Sequence, residues 1–237
     1  MPFPRAITTV RDAVCAVLRI HPLQGGQVHT SMVGTAWCIV ENRYLVTAHH
    51  IFNGGQRRDP DDRFFVFSVP QNGLQVFHVP VVSFPLEDPS NDMAIIEIDP
   101  SRNPNFSISS VPITFRAHQD GEKVLTFGFP APKVSQTQID QNLNWLGGNL
   151  FLKGHANEGI ISGQFEIQGQ LIYELNVGWY QGESGGPIFS LDPIAAFSIM
   201  QQYRKVSTEH GVVAGPHQGR ALNLIENSLR QLGANII

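Results

Sequence analysis

Short apolar segments separated by turn residues dominate the hydrophobic pattern of this chain. They are rich in β-branched and aromatic residues, a composition typical of strands. Asn72-Gly73, between two such segments, is a strong hairpin signal. The predicted strands cover residues 14–20, 34–40, 44–47, 64–69, 74–82, 93–98, 123–129, 159–164, 169–176, 187–190, 194–201, 212–214 and 220–224. Many short strands with frequent turns predict an all-β sandwich or barrel instead of alternating βα units.

Helical patterning is confined to two segments. Residues 48–52 form a short predicted turn, whereas residues 224–232 place four apolar side chains on one helical face before Gly233, a suitable C-cap. Residues 131–157 are rich in Gln and Asn and predict a long loop. Loops of this length are usually functional or mobile.

Composition and charge narrow the classes of function. The net charge of −4 provides no basic surface for nucleic acid. Charged residues interrupt the apolar runs of the first twenty residues, so no secretory signal is recognised, and no run is long enough to span a bilayer. These features predict a cytoplasmic protein without a membrane or nucleic-acid partner. Cys15 and Cys38 lie in apolar stretches and are predicted to be buried free thiols.

The clearest chemical motif is Gly-Glu-Ser-Gly-Gly-Pro at residues 182–187, with Ser184 third in the motif. A serine is a poor nucleophile without a base and an oxyanion site. Glycines on both sides of it allow a tight turn that directs backbone N–H groups towards one point. Taken alone, the motif is equally compatible with a glycine-rich turn that contains an incidental serine.

Two further motifs supply a candidate base and a candidate carboxylate. A hydrophobic strand ends in His49-His50 where the chain turns into the predicted helical segment. Adjacent histidines at a strand end point in different directions and chelate one ion poorly, and no matching ligand cluster is evident. Asp92 stands immediately before an apolar strand, a place from which a carboxylate can orient an imidazole.

Taken in order, the His, Asp and Ser motifs resemble those of the chymotrypsin superfamily, and within it the HtrA-like and glutamyl-endopeptidase-like bacterial branches. The three motifs that carry the match are residues 47–50, 92–96 and 182–187. Weaker similarity is found at residues 34–39, 127–130 and 219–229. The similarity extends over residues 10–232, which is most of the chain.

This resemblance implies an all-β fold of two six-stranded antiparallel Greek-key barrels, chymotrypsin-like in arrangement, with a short C-terminal helix. It divides a single trypsin-like peptidase domain, residues 1–237, into three parts. These parts are a first barrel at 10–118, a second barrel at 119–223 and a helix at 224–233. The predicted strands before residue 105 and after residue 121 form two groups of similar size, in agreement with this division.

The resemblance also implies a serine endopeptidase that works through an acyl-enzyme intermediate. His50 is the expected general base, Asp92 the residue that orients it, and Ser184 the nucleophile. The backbone N–H groups of Gly182 and Ser184 are the expected oxyanion hole. No metal or organic cofactor is expected.

Family alignment further suggests where a substrate binds. A peptide or protein is expected to lie extended along a strand edge near Ser198. Gly178 is expected at the base of the primary specificity pocket. The residues expected on its wall are Ser198, Ile199 and Met200. None is charged, which predicts an uncharged residue of small to medium size before the scissile bond, unless His217 or Arg220 enters the pocket.

Departures from the family pattern leave a non-enzymatic alternative open. Glu183 stands where the family has Asp or Asn, and the bulky Trp179 and Tyr180 lie just upstream. Such residues favour a protease-like fold retained as a binding or scaffold module. A further alternative is a protease switched on by a regulatory partner, with residues 131–157 as the regulated element.

A third alternative, an esterase of the α/β-hydrolase fold, follows from the Gly-x-Ser-x-Gly pattern around Ser184. That fold requires a helix after the serine, with the acid and the histidine further downstream. Here Pro187 and a strand-like run follow, and Asp192 is the only downstream aspartate. The sequence therefore favours the protease hypothesis.

Overall fold

Two closed antiparallel barrels of six strands each form the body of the molecule. The computed structural model describes residues 3–52, 58–69, 75–178, 180–209 and 211–237, with the backbone alone for 203–208 and 211–214. The helices are α1 (Phe3–Arg11) and α2 (Glu226–Gln231). The strands are β1 (Val14–Pro22), β2 (Val28–Val40), β3 (Tyr44–Ala48), β4 (Arg63–Ser68), β5 (Phe77–Asp88), β6 (Met93–Ile98), β7 (Lys123–Gly128), β8 (Lys133–Ile139), β9 (Trp145–Phe151), β10 (His155–Ile167), β11 (Gln170–Asn176), β12 (Pro187–Leu191), β13 (Ile194–Thr208) and β14 (Gly211–Ala221).

The first barrel closes in the order β1-β2-β3-β6-β5-β4. All five residues of β3 and five of the six in β6 are buried, because other segments cover the outside of these strands as well. Trp37, Phe52 and Phe67 are among the largest fully buried side chains of the described residues. A dense apolar core therefore fixes the ends of β3 and β6.

The second barrel closes in the order β10-β11-β14-β13-β12-β7, and its strands range from 5 residues in β12 to 15 in β13. Strand β10 has 13 residues, of which Ile161 alone is buried. Among the described residues, a cluster of nine buried side chains, including Phe197 and Tyr173, fills part of this barrel, and others such as Phe189 join the core shared with the first barrel. At the junction with the first barrel, Trp37 meets Phe189 in an edge-to-face ring contact of 6.4 Å.

The predicted chymotrypsin-like fold with a short C-terminal helix is confirmed. Two elements were not predicted. Helix α1 buries Ala6 and Val10, one turn apart, and the sequence expected to be a long loop at residues 131–157 contains the hairpin β8–β9. The Asn72-Gly73 turn lies outside the described residues.

The β8–β9 hairpin extends from the second barrel to the first. Trp145, at the start of β9, is 6% exposed and its ring meets Phe67 of the first barrel edge-to-face at 5.5 Å. Thr30 of β2 and Thr137 of β8 approach within 3.5 Å through their hydroxyl oxygens. These contacts hold the hairpin against the first barrel.

Both cysteines are buried and free, as predicted. Burial raises the pKa of the Cys15 thiol well above its ordinary value, and it raises the pKa of Cys38 to about 12. Both thiols therefore stay un-ionised. Within the described part of the chain, neither helix has the length and apolar character needed to cross a membrane.

Candidate active site

The His50 imidazole and the Asp92 carboxylate form a hydrogen-bonded pair at one end of the first barrel. His50 Nδ1 lies 2.8 Å from Asp92 Oδ2, and the backbone N–H of His50 donates to Asp92 Oδ1 at 2.8 Å. Both side chains are partly exposed, at 34% and 26%. A proton on Nδ1, shared with the carboxylate, leaves Nε2 free to accept another.

Backbone geometry explains how Asp92 reaches the histidine. Its φ of 53° is left-handed, a conformation that Asp tolerates better than most residues. The carbonyl oxygen of Asp92 accepts the His49 N–H at 3.2 Å. Strands β3 and β6 pair as far as Ala48 and Met93. The histidine turn directly follows β3 and Asp92 directly precedes β6, so the two lie at neighbouring strand ends.

Ser184 reaches the same area from the second barrel. Its hydroxyl, in a residue 7% exposed, donates to the Gln201 carbonyl oxygen at 3.2 Å. The Gln201 side-chain Nε2 donates to the carbonyl oxygens of Asn91 and Asp92 at 2.9 and 3.1 Å. Gln201 therefore links the serine to the loop that carries the carboxylate. Among the described residues, no hydrogen bond joins Ser184 to His50, and such bonds often tighten only when substrate is present.

The glycine-rich turn requires glycine for two reasons. Gly182 and Gly185 have φ values of 104° and 85°, a backbone conformation that residues with a Cβ rarely adopt. A Cβ on Gly185 would lie 2.2 Å from both the Thr35 carbonyl oxygen and Thr47 Oγ1. The absence of a side chain at Gly185 therefore allows the turn to pack directly against β2 and β3. The N–H groups of Gly182 and Ser184 donate to no acceptor among the described residues.

Thr35 of β2 fastens this turn to the first barrel. Its N–H donates to the Ser184 carbonyl oxygen at 2.9 Å, and its hydroxyl donates to the Gly182 carbonyl oxygen at 2.8 Å. The same hydroxyl accepts the Phe129 N–H at 3.2 Å. Because both turn carbonyls bind β2, the opposite edge of the turn carries the N–H groups.

Glu183 lies beneath the turn and is 4% exposed. Its Oε2 accepts the Tyr180 N–H at 2.8 Å, while Oε1 is buried without a hydrogen bond among the described residues. Burial raises the pKa of the Glu183 carboxyl group to about 7, and the Tyr180 N–H opposes that shift.

The predicted pocket residues lie in two different settings. Gly178 is exposed, next to the Asn157 side chain. The three predicted wall residues are at most 2% exposed, in strand β13. Ser198 pairs with β12 on one edge and β14 on the other, and its hydroxyl donates to the Arg220 carbonyl oxygen. Substrate contact by Ser198, Ile199 or Met200 stays a prediction.

Arg220 supports Gln201 from behind. Its Nε donates to Gln201 Oε1 at 2.9 Å. Burial lowers the pKa of the Arg220 guanidinium, and the negative charges of Asp92 and Asp88 oppose the shift. Burial also lowers the pKa of His217. Of the two bulky residues before the glycine turn, Trp179 lies outside the described residues, whereas Tyr180 is 58% exposed.

The described residues include one cluster with metal-ligand geometry, formed by His21, Asp59 and Asp62. His21 Nδ1 lies 2.8 Å from Asp62 Oδ1. Arg19 Nε lies 2.6 Å from the other oxygen of Asp62 and supplies the positive charge there. The cluster is therefore a closed ion-pair network in the first barrel.

A groove of about 660 Å³ begins beside the glycine turn. Residues 30–32 of β2 line one side, and residues 132–135 and 149–151 of the hairpin line the other. The Pro132 ring packs so closely against Gly182 that a Cβ on this glycine would lie 2.4 Å from Pro132 Cδ. Pro132 therefore lies between the groove and the candidate oxyanion turn.

The sequence alone does not reveal the roles of Gln201 and Thr35 in the site. Gln201 is the last residue of a predicted strand, and Thr35 lies in a strand that is only weakly similar to the family. Neither carries a local signal, because their roles depend on contacts with residues 109 and 147 positions away.

Comparisons with known proteins agree with this architecture. A family model for the trypsin-like peptidase domain matches residues 34–193. The solved structure of the HtrA-type protease AlgW with a decapeptide has a TM-score of 0.66 and 14% identity, covering 98% of this chain and 67% of that one. The crystal structure of Deg5 has a TM-score of 0.62 and 14% identity, covering 99% and 95%. A search of curated proteins gives no significant match.

Proposed function

The chain belongs to the trypsin-like peptidase family, and we propose that it is a serine endopeptidase in which His50, Asp92 and Ser184 act as the catalytic triad. The observation that carries this proposal is the double hydrogen bond from His50 to the Asp92 carboxylate, next to a glycine-rich turn that bears a serine. A family member retained only for binding has no need of that pair.

The proposed reaction begins with attack on the peptide carbonyl carbon by Ser184 Oγ. The hydroxyl leaves the Gln201 carbonyl oxygen and turns to His50 Nε2, which takes its proton. Asp92 keeps the Nδ1 proton in place and stabilises the imidazolium. His50 then returns the proton to the leaving amine, and an acyl-Ser184 ester remains. Water, deprotonated by His50, hydrolyses this ester and restores the serine.

The N–H groups of Gly182 and Ser184 are the proposed oxyanion donors. Both are uncommitted among the described residues, since Thr35 holds the turn by its carbonyl oxygens instead. Donors fixed in advance stabilise the developing negative charge without reorganising during the reaction. Loss of one such donor typically costs about 10²–10³ in kcat.

The proposed substrate is a polypeptide in extended conformation. Beyond Met200, β13 pairs with β14 on one edge, and its other edge has no partner strand among the described residues. A peptide can add there as a further strand, with main-chain hydrogen bonds next to Ser184. The similar HtrA-type protease AlgW was solved with a decapeptide, which fits this class of ligand.

The proposed specificity is for an uncharged residue before the scissile bond. Gly178 and Asn157, at the proposed base of the pocket, carry no charge. Ser198, Ile199 and Met200 are proposed to shape the pocket from behind through packing, because they are buried. Cleavage of a peptide library by the purified protein tests this preference directly.

Labelling with a fluorophosphonate, which reacts with activated serines, tests the proposed function. We expect the wild-type protein to be labelled and Ser184→Ala to lose the label completely. Ser190→Ala is the matched control: this serine is also buried and hydrogen-bonded, but to the Pro193 and Ala195 carbonyls of its own hairpin. Wild-type protein that stays unlabelled, or labelling that survives Ser184→Ala, would sink the proposal.

A further inference from the structure

Glu183 has an environment that the triad mechanism does not explain. It is a buried carboxyl group immediately before the proposed nucleophile. Strand β7 makes room for it with Gly128, because a Cβ on that glycine would lie 3.1 Å from Glu183 Cβ and Cγ. A buried ionisable group normally has a charge partner or several hydrogen bonds. Here one oxygen has a single partner, and the other has none among the described residues.

The contacts of Glu183 close the turn into a ring. Its side-chain Oε2 accepts the Tyr180 N–H at 2.8 Å, and its own N–H donates to the Tyr180 carbonyl oxygen at 3.2 Å. The Gly182 N–H, a proposed oxyanion donor, lies inside this four-residue ring. A change in the position of the carboxyl group therefore moves the peptide units that carry the donors.

We propose that Glu183 is a positioning residue that holds the turn in its active conformation through a protonated carboxyl group. This inference rests on the proposed function, because the turn matters only if Ser184 reacts. The proton belongs on Oε1, since Oε2 already accepts the Tyr180 N–H. Ionisation would leave a buried negative charge with one donor and would also oppose the negative charge that develops on the oxyanion.

The groups around Glu183 do not neutralise it. Arg11 lies over the Phe127 ring of β7, and the His155 ring meets Tyr180. Lys133 begins β8, which follows the segment packed on the turn, and His50 is hydrogen-bonded to Asp92. None of these four contributes to the pKa of Glu183, which burial and the Tyr180 N–H alone determine. The value of about 7 makes the proposed switch act near neutral pH.

The expected pH dependence follows from the ionisation of the Glu183 carboxyl group. Below pH 7 the carboxyl group is neutral and the turn is ordered. As the pH rises through about 7, Glu183 ionises and the active fraction falls. The activity of the wild-type protein should therefore decline above about pH 7, and a variant that cannot ionise at position 183 should lack this decline.

The experiment measures fluorophosphonate reaction from pH 5.5 to 9, separating the maximal rate of inactivation from the probe affinity. Glu183→Ala should lower the maximal rate by about 100-fold, the effect of one lost oxyanion donor, with the affinity unchanged. Glu183→Gln keeps the acceptor and the shape, and should retain the rate at pH 6.5. At pH 9 we expect it to exceed the wild type by at least about fivefold, because it carries no charge. Glu158→Gln, at an exposed pair with Lys123, is the matched control and should follow the wild-type profile.

Hydrogen exchange of residues 180–186 supplies a readout that does not depend on catalysis. Exchange should accelerate in Glu183→Ala, and in the wild type above pH 7 beyond the intrinsic pH effect, but not in Glu183→Gln. Superimposable rate profiles of wild type and Glu183→Gln, or unchanged exchange in Glu183→Ala, overturn the inference. A wild type that never reacts with the probe but shows the expected exchange pattern overturns the proposed function and leaves the role of Glu183 in the turn standing.

Discussion

The two barrels contribute to the site in different ways. The first supplies His50 and Asp92 from the ends of β3 and β6, where nearly every residue is buried. The second supplies Ser184 from a turn in a barrel whose strand β10 is largely solvated. Packing thus fixes the strand ends that carry the imidazole and the carboxylate, whereas the serine turn is fixed by backbone hydrogen bonds to Thr35 and by the Glu183 ring. The base is therefore held on a rigid support, and the nucleophile is held on a turn that can adjust.

Asp92→Asn should produce the largest effect, because it removes the carboxylate that orients His50 and leaves the packing of the first barrel intact. An amide at this position cannot hold the same imidazole tautomer, so we expect kcat to fall by about 10⁴-fold. Steady-state kinetics on a peptide selected from the library would measure it. The free energy of unfolding should change little, since the side chain is 26% exposed at the barrel rim. A tenfold loss or less would show that the carboxylate does not orient the base.

Removing one phenylalanine from each barrel tests the packing difference directly. Phe67→Ala and Phe197→Ala each remove a buried ring, and such changes cost about 3–5 kcal/mol of unfolding free energy. Phe67→Ala should be the more damaging of the two, because Phe67 also contacts Trp145 and so holds the hairpin. Urea denaturation measures both. Equal losses would indicate that the two cores are equally cooperative.

Thr35→Val should produce the smallest effect, since it removes a hydroxyl and keeps the shape. The change leaves the Gly182 carbonyl oxygen and the Phe129 N–H without their partner, at a cost of about 1–3 kcal/mol. We expect a lower urea midpoint together with a reduced kcat. Thr35→Ser retains the hydroxyl and should remain close to wild type. An unaltered kcat in Thr35→Val would show that the turn is fixed by other contacts.

Local motifs made much of this architecture predictable. The strand pattern predicts the all-β class, and the three motifs identify His50, Asp92 and Ser184 as candidate site residues, whose catalytic roles stay proposals. Each motif owes its signal to a short-range requirement, such as glycine at a left-handed turn or an aspartate at a strand entrance.

Long-range contacts account for what the sequence did not reveal. Gln201 and Thr35 act through partners more than 100 residues away, and neither residue type signals that role. The sequence predicts a loop in place of the β8–β9 hairpin, because these Gln- and Asn-rich strands lack apolar alternation. The hairpin depends instead on Trp145, which anchors it against the first barrel. Helix α1 is similarly stabilised more by the packing of Ala6 and Val10 against the core than by the intrinsic helix propensity of its residues.

The two enclosed thiols give the first barrel a property of practical use. Cys15 and Cys38 lie on the neighbouring strands β1 and β2 of that barrel and are neutral at every physiological pH. A sulfur in that state reacts with neither oxidants nor alkylating reagents while the barrel stays closed. The two thiols therefore become available to an alkylating reagent only when the most tightly packed half of the molecule comes apart, so their labelling reports the opening of the first barrel.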